Sequence, residues 1–199
     1  MTIRSFTEKL TQTFGWRKER CQTFAGLVMG LLDQSNVQHH ALSQGVESPG
    51  PLKSKLEKIR RFFAKQEFNY QHIARQTLLC TFGKIPSMHV ILDRTNWKFG
   101  RSDVNYLVLA VRIGKVTFPL FWSLLEHSGC SDYQQRRDLL EQFRTTFGFE
   151  YILSLTADRE FIGKEWIGYL CDHNIPFLSA SKTTAWCSGV KANRIFARS

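Results

Sequence analysis

Two aspartates are the residues around which a chemical argument can be built. Asp93 follows the apolar run Met88-His-Val-Ile-Leu92, and Asp158 lies just past the apolar run Tyr151-Ile-Leu-Ser-Leu155. A carboxylate there has little structural reason to exist unless it faces an edge or a cleft. Two carboxylates brought together repel each other, and a divalent cation relieves that repulsion. Mg²⁺ and Mn²⁺ prefer such oxygen ligands. Two such ions about 3.5–4 Å apart activate a water or a hydroxyl and stabilise the leaving oxygen in phosphodiester chemistry. Each aspartate also has a plainer reading. Asp93 fits an Asx turn in Asp93-Arg-Thr-Asn96, and Asp158 fits a helix N-cap. The residues alone leave both readings open.

The charge points to a polyanionic partner. The protein has 199 residues, with 27 Lys+Arg against 17 Asp+Glu, a net +10. A surplus of that size fits nucleic acid. Residues 1–65 hold 11 basic and 5 acidic residues, so the first third carries +6 of it. Within it, Leu52–Lys65 reads as a helix with Leu56, Ile59, Phe62 and Phe63 on one face. Lys53, Lys55, Lys58, Arg60, Arg61 and Lys65 surround that face, which makes this helix a DNA-contact candidate. An ordinary amphipathic basic helix gives the same pattern. Lys98 and Arg159, close to the two aspartates, are further candidates for phosphate contacts, with solvated surface charge as the alternative.

Composition excludes several classes. Apolar residues make up 43 % and charged residues 22 %, which is neither disordered nor fibrous. No apolar stretch approaches the roughly 18–20 residues that cross a bilayer, and Met1 to Leu10 lacks the apolar core of a secretory signal. A cytoplasmic protein without a membrane partner is expected. The cysteines at 21, 80, 130, 171 and 187 contain no CxxC pair. That argues against a zinc ribbon or thioredoxin-type site and predicts reduced, mostly buried thiols.

These residues need elements to position them. Apolar spacing predicts helices over 16–32, 34–45, 52–65 and 69–81, with a turn-rich break at Val46-Glu-Ser-Pro-Gly-Pro51. After Pro86 the period becomes strand-like. Strands are predicted at 88–92, 106–113 and 116–122, the last two joined at Gly114-Lys115 as a hairpin. A helix over 132–147, a strand at 151–155, a helix over 161–171 and a strand at 176–180 follow. The sequence thus divides into a helical DNA-binding domain, 1–85, and an α/β domain, 86–199. The order βββαβαβ resembles the ribonuclease-H-like arrangement, a mixed sheet whose metal-binding carboxylates sit on neighbouring first and fourth strands.

Longer motifs carry a more specific resemblance. Asp93-Arg-Thr-Asn-Trp97-Lys-Phe-Gly100 resembles the first-aspartate motif of bacterial insertion-sequence DDE transposases, in the insertion-sequence-four-type group with a Tyr-Arg-Glu-Lys third motif. Asn105 to Val111, Pro119-Leu-Phe-Trp122 and Arg136-Arg-Asp-Leu-Leu140 resemble the stretch that follows. Ala157-Asp158-Arg-Glu-Phe-Ile-Gly163 resembles the second-aspartate motif. Trp16-Arg-Lys-Glu-Arg20 and Arg60-Arg-Phe-Phe63 extend the likeness into the first third.

The resemblance implies Mg²⁺- or Mn²⁺-dependent DNA cleavage and strand transfer, with Asp93 and Asp158 as catalytic metal ligands. It also implies double-stranded transposon-end and target DNA as partners, a homodimer in the DNA complex, and residence on the bacterial nucleoid when bound. Trp97 and Phe99 would shape the floor of the site or stack on a flipped base, ordinary packing being the alternative. The third motif departs from the family. The last acidic residue is Asp172, and no Tyr-x-x-Arg-x-x-x-Glu pattern follows Asp158. A transposase truncated at its C-terminal end, before the third carboxylate, is therefore expected, with its sheet incomplete at that end. Three activities fit: the parent transposase chemistry, a non-catalytic DNA-binding fragment that recognises ends or inhibits intact transposase, or a nuclease that completes its site otherwise.

Overall fold

The computed structural model describes residues 2–100, 102–125 and 129–179. They fall into two compact units, divided between Asn69 and Tyr70.

The first unit is helical: α1 (Ile3–Phe14), α2 (Lys18–Gln34), a single turn α3 (His39–Leu42) and α4 (Leu52–Lys65). The apolar spacing does not predict the first of these. It begins because the Thr2 hydroxyl accepts the Ser5 N–H, and ends at Gly15 in the left-handed region, φ 64°. The segment expected to be helical over 34–45 is helical only at its centre, because Ser35 ends α2 in a left-handed conformation, φ 47°. Two apolar clusters hold the unit together. Leu10, Cys21 and Ala25 form one; Leu27, Leu42, Val46, Ile59 and Phe62 form the other. Between them, α2 meets the turn after α3 backbone to backbone at Gly26, Gly30 and Gly45. A methyl group on Gly30 would stand 2.5 Å from the Leu42 carbonyl oxygen.

The second unit is α/β, with a five-stranded mixed sheet among the described residues. It contains α5 (Tyr70–Phe82), β1 (Met88–Phe99), β2 (Ser102–Ile113), β3 (Val116–Leu125), α6 (Tyr133–Phe147), β4 (Ile152–Ala157), α7 (Lys164–Asp172) and β5 (Phe177–Ser179). Strand order is β3-β2-β1-β4-β5. The first three strands are an antiparallel meander; β4 runs parallel to β1, and β5 parallel to β4. The division falls at Asn69/Tyr70, earlier than the expected boundary after residue 85, because Ala74 and Leu78 of α5 bury in the sheet's core.

Side chains alternate across the sheet. One face carries Val90 and Leu92 of β1, Leu107, Leu109 and Val111 of β2, and Leu155 of β4, all buried. Leu139, Leu140, Phe143 and Phe147 of α6 and Trp166 and Leu170 of α7 complete that core. The start of α6 is fixed by a reciprocal cap. The Asp132 carboxylate accepts the Gln135 N–H at 2.7 Å, and the Gln135 side chain accepts the Asp132 N–H at 3.0 Å. The opposite face carries Ile91, Asp93, Thr95 and Trp97 of β1, half-buried or exposed.

Candidate functional site

The expected first strand ended at Leu92; the observed one runs on to Phe99, so Asp93 lies in the middle of a 12-residue strand. The extension occurs because β2 pairs with β1 along its whole length, Phe99 opposite Ser102. Pairing with β4 stops earlier, at Leu92 opposite Ala157. Asp93 is therefore the first residue of β1 beyond its parallel partner, and Asp158 is the first residue past the end of β4. The residue that follows the last register pair is an aspartate in both segments. Adjacent strands lie about 4.8 Å apart. The Asx-turn reading of Asp93 does not hold, since the backbone there is extended strand; its Oδ1 accepts the N–H of Arg94 at 2.8 Å. Both aspartates are exposed.

Asp158 is followed by a single 3-10 turn, Arg159–Phe161, closed by the Phe161 N–H donating to the Asp158 carbonyl at 3.1 Å. That turn delays the helix expected from residue 161, and α7 starts at Lys164. Asp158 is therefore not the N-cap of α7, which is Gly163. The turn is held by two arginines. Arg94, the neighbour of Asp93, grips the Glu160 carboxylate through Nε–Oε1 at 2.9 Å and Nη2–Oε2 at 3.0 Å. Arg136 of α6 donates to the Glu160 carbonyl at 3.3 Å and to the Ser131 hydroxyl at 2.9 Å, with its guanidinium 5.2 Å from the centre of the Phe161 ring. The hydrogen bond that Arg94 donates to Glu160 raises the Arg94 pKa, whereas burial lowers that of Arg136. Closeness in sequence to Asp158 argues against Glu160 as a third ligand. In the structure its carboxylate is occupied by Arg94.

Among the described residues, no group of three or more His, Cys, Asp and Glu side chains is placed to hold a metal ion. The pair Asp93 and Asp158 still offers hard oxygen donors, which suit Mg²⁺ or Mn²⁺ in kind. Mg²⁺ is commonly held by one or two carboxylates, with water and substrate phosphates completing the octahedron. The donor set therefore fits such an ion in part. Lys98 is exposed on β1, and Trp97, 62 % exposed, meets Tyr106 edge-on at 6.2 Å. The side chains of Phe99 and Arg159 lie outside the described residues, as do residues 180–199, where the end of the expected fifth strand and the missing third motif fall.

The helical unit presents the cations. Lys53, Arg60, Arg61 and Lys65 of α4 are exposed, and Lys55 and Lys58 are partly so. Phe63, expected on the apolar face, is instead 49 % exposed and stacks on His39 with ring centres 5.5 Å apart. An open cleft of about 360 Å³ between α2 and α4 is lined by Arg20, Lys58, Arg61 and Lys65, with Glu19 beside them. Sequence reasoning does not single out Arg20 as a contact candidate. Its signal is faint, since only the packing of α2 on α4 brings it beside Lys58 and Arg61.

Of the cysteines, Cys21 is buried, whereas Cys80 and Cys130 are exposed free thiols. Two of these three thiols are thus exposed, contrary to the expectation of mostly buried ones. No described helix is long and apolar enough to cross a membrane. Comparison with protein-family models, curated proteins and solved structures finds no match to this protein.

Proposed function

We propose that this protein binds duplex DNA through its helical unit and carries, on the sheet, the metal-binding carboxylate pair of a DDE-type transposase. The observation that carries the reading is the register. β1 and β4 are far apart in sequence, yet they run parallel and end their pairing at Leu92 and Ala157, each one residue before an aspartate. The strand order β3-β2-β1-β4-β5, with its antiparallel meander and parallel second half, supports a ribonuclease-H-like assignment. A bound divalent ion would supply Lewis-acid activation of a phosphodiester and of its attacking oxygen. The residues do the rest. Asp93 and Asp158 would hold the ion, Arg94 and Glu160 fix the strand exits, and the Arg20, Lys58, Arg61 and Lys65 cleft takes phosphates.

A second reading, DNA binding without cleavage, is favoured by one observation: a third carboxylate does not join the pair among the described residues. Both readings share the DNA surface, so that surface is tested first. Fluorescence anisotropy of a duplex with the full-length protein over a salt series is expected to show affinity falling steeply with salt. The triple variant Arg20→Ala, Lys58→Ala, Arg61→Ala should weaken binding and flatten that slope. The control triple Lys84→Ala, Arg112→Ala, Lys115→Ala removes the same charge from the sheet unit and should change it much less. Equal effects from both triples would sink the DNA-surface assignment. Mn²⁺-dependent nicking of the same duplex, lost in Asp93→Asn, would then separate cleavage from binding alone.

A further inference from the structure

The segments bearing the two aspartates are tied to each other by an ion pair. Arg94 follows Asp93 directly, and Glu160 follows Asp158 by two residues. The pair spans 66 positions of sequence, and both side chains are about one-fifth exposed. The contact is forked: Nε reaches Oε1 at 2.9 Å and Oε2 at 3.2 Å, and Nη2 reaches Oε2 at 3.0 Å. Forked arginine–carboxylate contacts fix geometry in a way single surface ion pairs do not. Successive strand residues point to opposite faces. Arg94 thus shares the covered face with its cross-strand partner Leu107, while Asp93 takes the other. The fork therefore lies on the face away from Asp93. Glu160 has no slack of its own, because Arg136, 7 % exposed, holds its carbonyl and the Cys130 thiol lies 3.8 Å from Oε2.

We propose that the Arg94–Glu160 ion pair is a positioning element that sets the separation of Asp93 and Asp158, and through it the affinity of the carboxylate pair for a divalent cation. This rests on the reading that those two aspartates bind such an ion. Neither Arg94 nor Glu160 is itself a ligand. Groups that orient metal ligands typically change affinity about 10–100-fold when removed.

The test is Mn²⁺ binding to the full-length protein, read by calorimetry and by the electron paramagnetic resonance of the bound ion, with urea unfolding to confirm that each variant folds. Asp93→Asn should abolish binding. Glu160→Gln and Arg94→Lys, which keep size and partial hydrogen bonding, should each weaken it about 10-fold or more. The exchanged double variant Arg94→Glu, Glu160→Arg should bind more tightly than either Arg94→Glu or Glu160→Arg alone. If Asp93→Asn abolishes binding while Glu160→Gln and Arg94→Lys leave it unchanged, the positioning role is wrong and the metal site stands. If Glu160→Gln abolishes binding, Arg94→Lys does not and the exchange restores nothing, Glu160 is a ligand and the proposal falls. If Asp93→Asn binds Mn²⁺ as the parent does, or the parent binds none, the metal reading fails and takes the proposal with it.

Discussion

Gly30→Ala sets two opposed effects against each other, and the structure says which wins. In an open helix the change stabilises, by about 0.8–1 kcal/mol of helix propensity. At Gly30 the new methyl group would stand 2.5 Å from the Leu42 carbonyl oxygen and 3.0 Å from Leu42 Cα. Those neighbours are backbone atoms and cannot rotate away, so α2 and the end of α3 must separate. Overpacking of this kind costs about 1–3 kcal/mol, and a backbone obstacle puts it at the upper end. Net destabilisation of about 2 kcal/mol is expected. A unit of this size has only about 3–10 kcal/mol in total. With a urea slope near 1 kcal/mol/M, the midpoint of the helical unit should fall by about 2 M. Gly168→Ala is the control. Gly168 lies within α7, and a methyl group there meets nothing within 4 Å, so that change should stabilise by up to about 1 kcal/mol. Urea unfolding followed by far-ultraviolet circular dichroism reads both. If Gly30→Ala stabilises as Gly168→Ala does, the backbone contact between α2 and α3 is wrong.

Further outcomes follow from the sheet unit. Phe143→Ala, at a fully buried position beside Phe147 with ring centres 5.1 Å apart, is expected to cost about 3–5 kcal/mol in urea unfolding of that unit. Tyr169→Phe removes a 2.5 Å hydrogen bond to the Glu141 carboxylate and should cost about 1.5–3 kcal/mol at neutral pH. Burial would raise the Glu141 pKa, but the bonds from Tyr169 and Arg144 outweigh it and hold it below the ordinary carboxylate value. That stabilisation is complete above the unfolded carboxylate pKa and is lost as pH falls through the folded one, so thermal unfolding of parent and variant should converge toward acid pH. Burial, then the bond to Glu141, raises the Tyr169 pKa, so the parent should also lose part of its advantage as pH climbs past the ordinary tyrosine value near 10.

The legible parts of this protein were those set by local pattern. The capped helix Tyr133–Phe147, the turn at Gly114-Lys115 and the order of strands follow from apolar period and turn chemistry within one segment. The length of β1 was not legible. Residues 93–99, Asp-Arg-Thr-Asn-Trp-Lys-Phe, read as polar and turn-like, and they are strand because β2 supplies a partner for each of them. Tertiary pairing overrides local propensity there. Tyr70–Phe82 was legible as a helix, but not as part of the sheet unit, because only packing shows where Ala74 and Leu78 are buried. Arg94 and Glu160 illustrate the same limit at the site. Each stands close to an aspartate in sequence, and nothing in the string joins residues 66 positions apart until β1 and β4 lie in register. The role of the α2 glycines was not legible either: their absent side chains let backbones meet, which only the packing shows.

If Asp93 and Asp158 together hold a divalent cation, Fe²⁺ substituted for that cation reports where it sits. With ascorbate and peroxide, bound Fe²⁺ generates hydroxyl radicals that cut the polypeptide within a few residues of the ion. The expected fragments arise from two cuts, one near residue 93 and one near residue 158. They should be suppressed by excess Mg²⁺ and lost in Asp93→Asn and in Asp158→Asn. Cutting elsewhere in the polypeptide, or cutting at 93 and 158 that survives both substitutions, would contradict that placement.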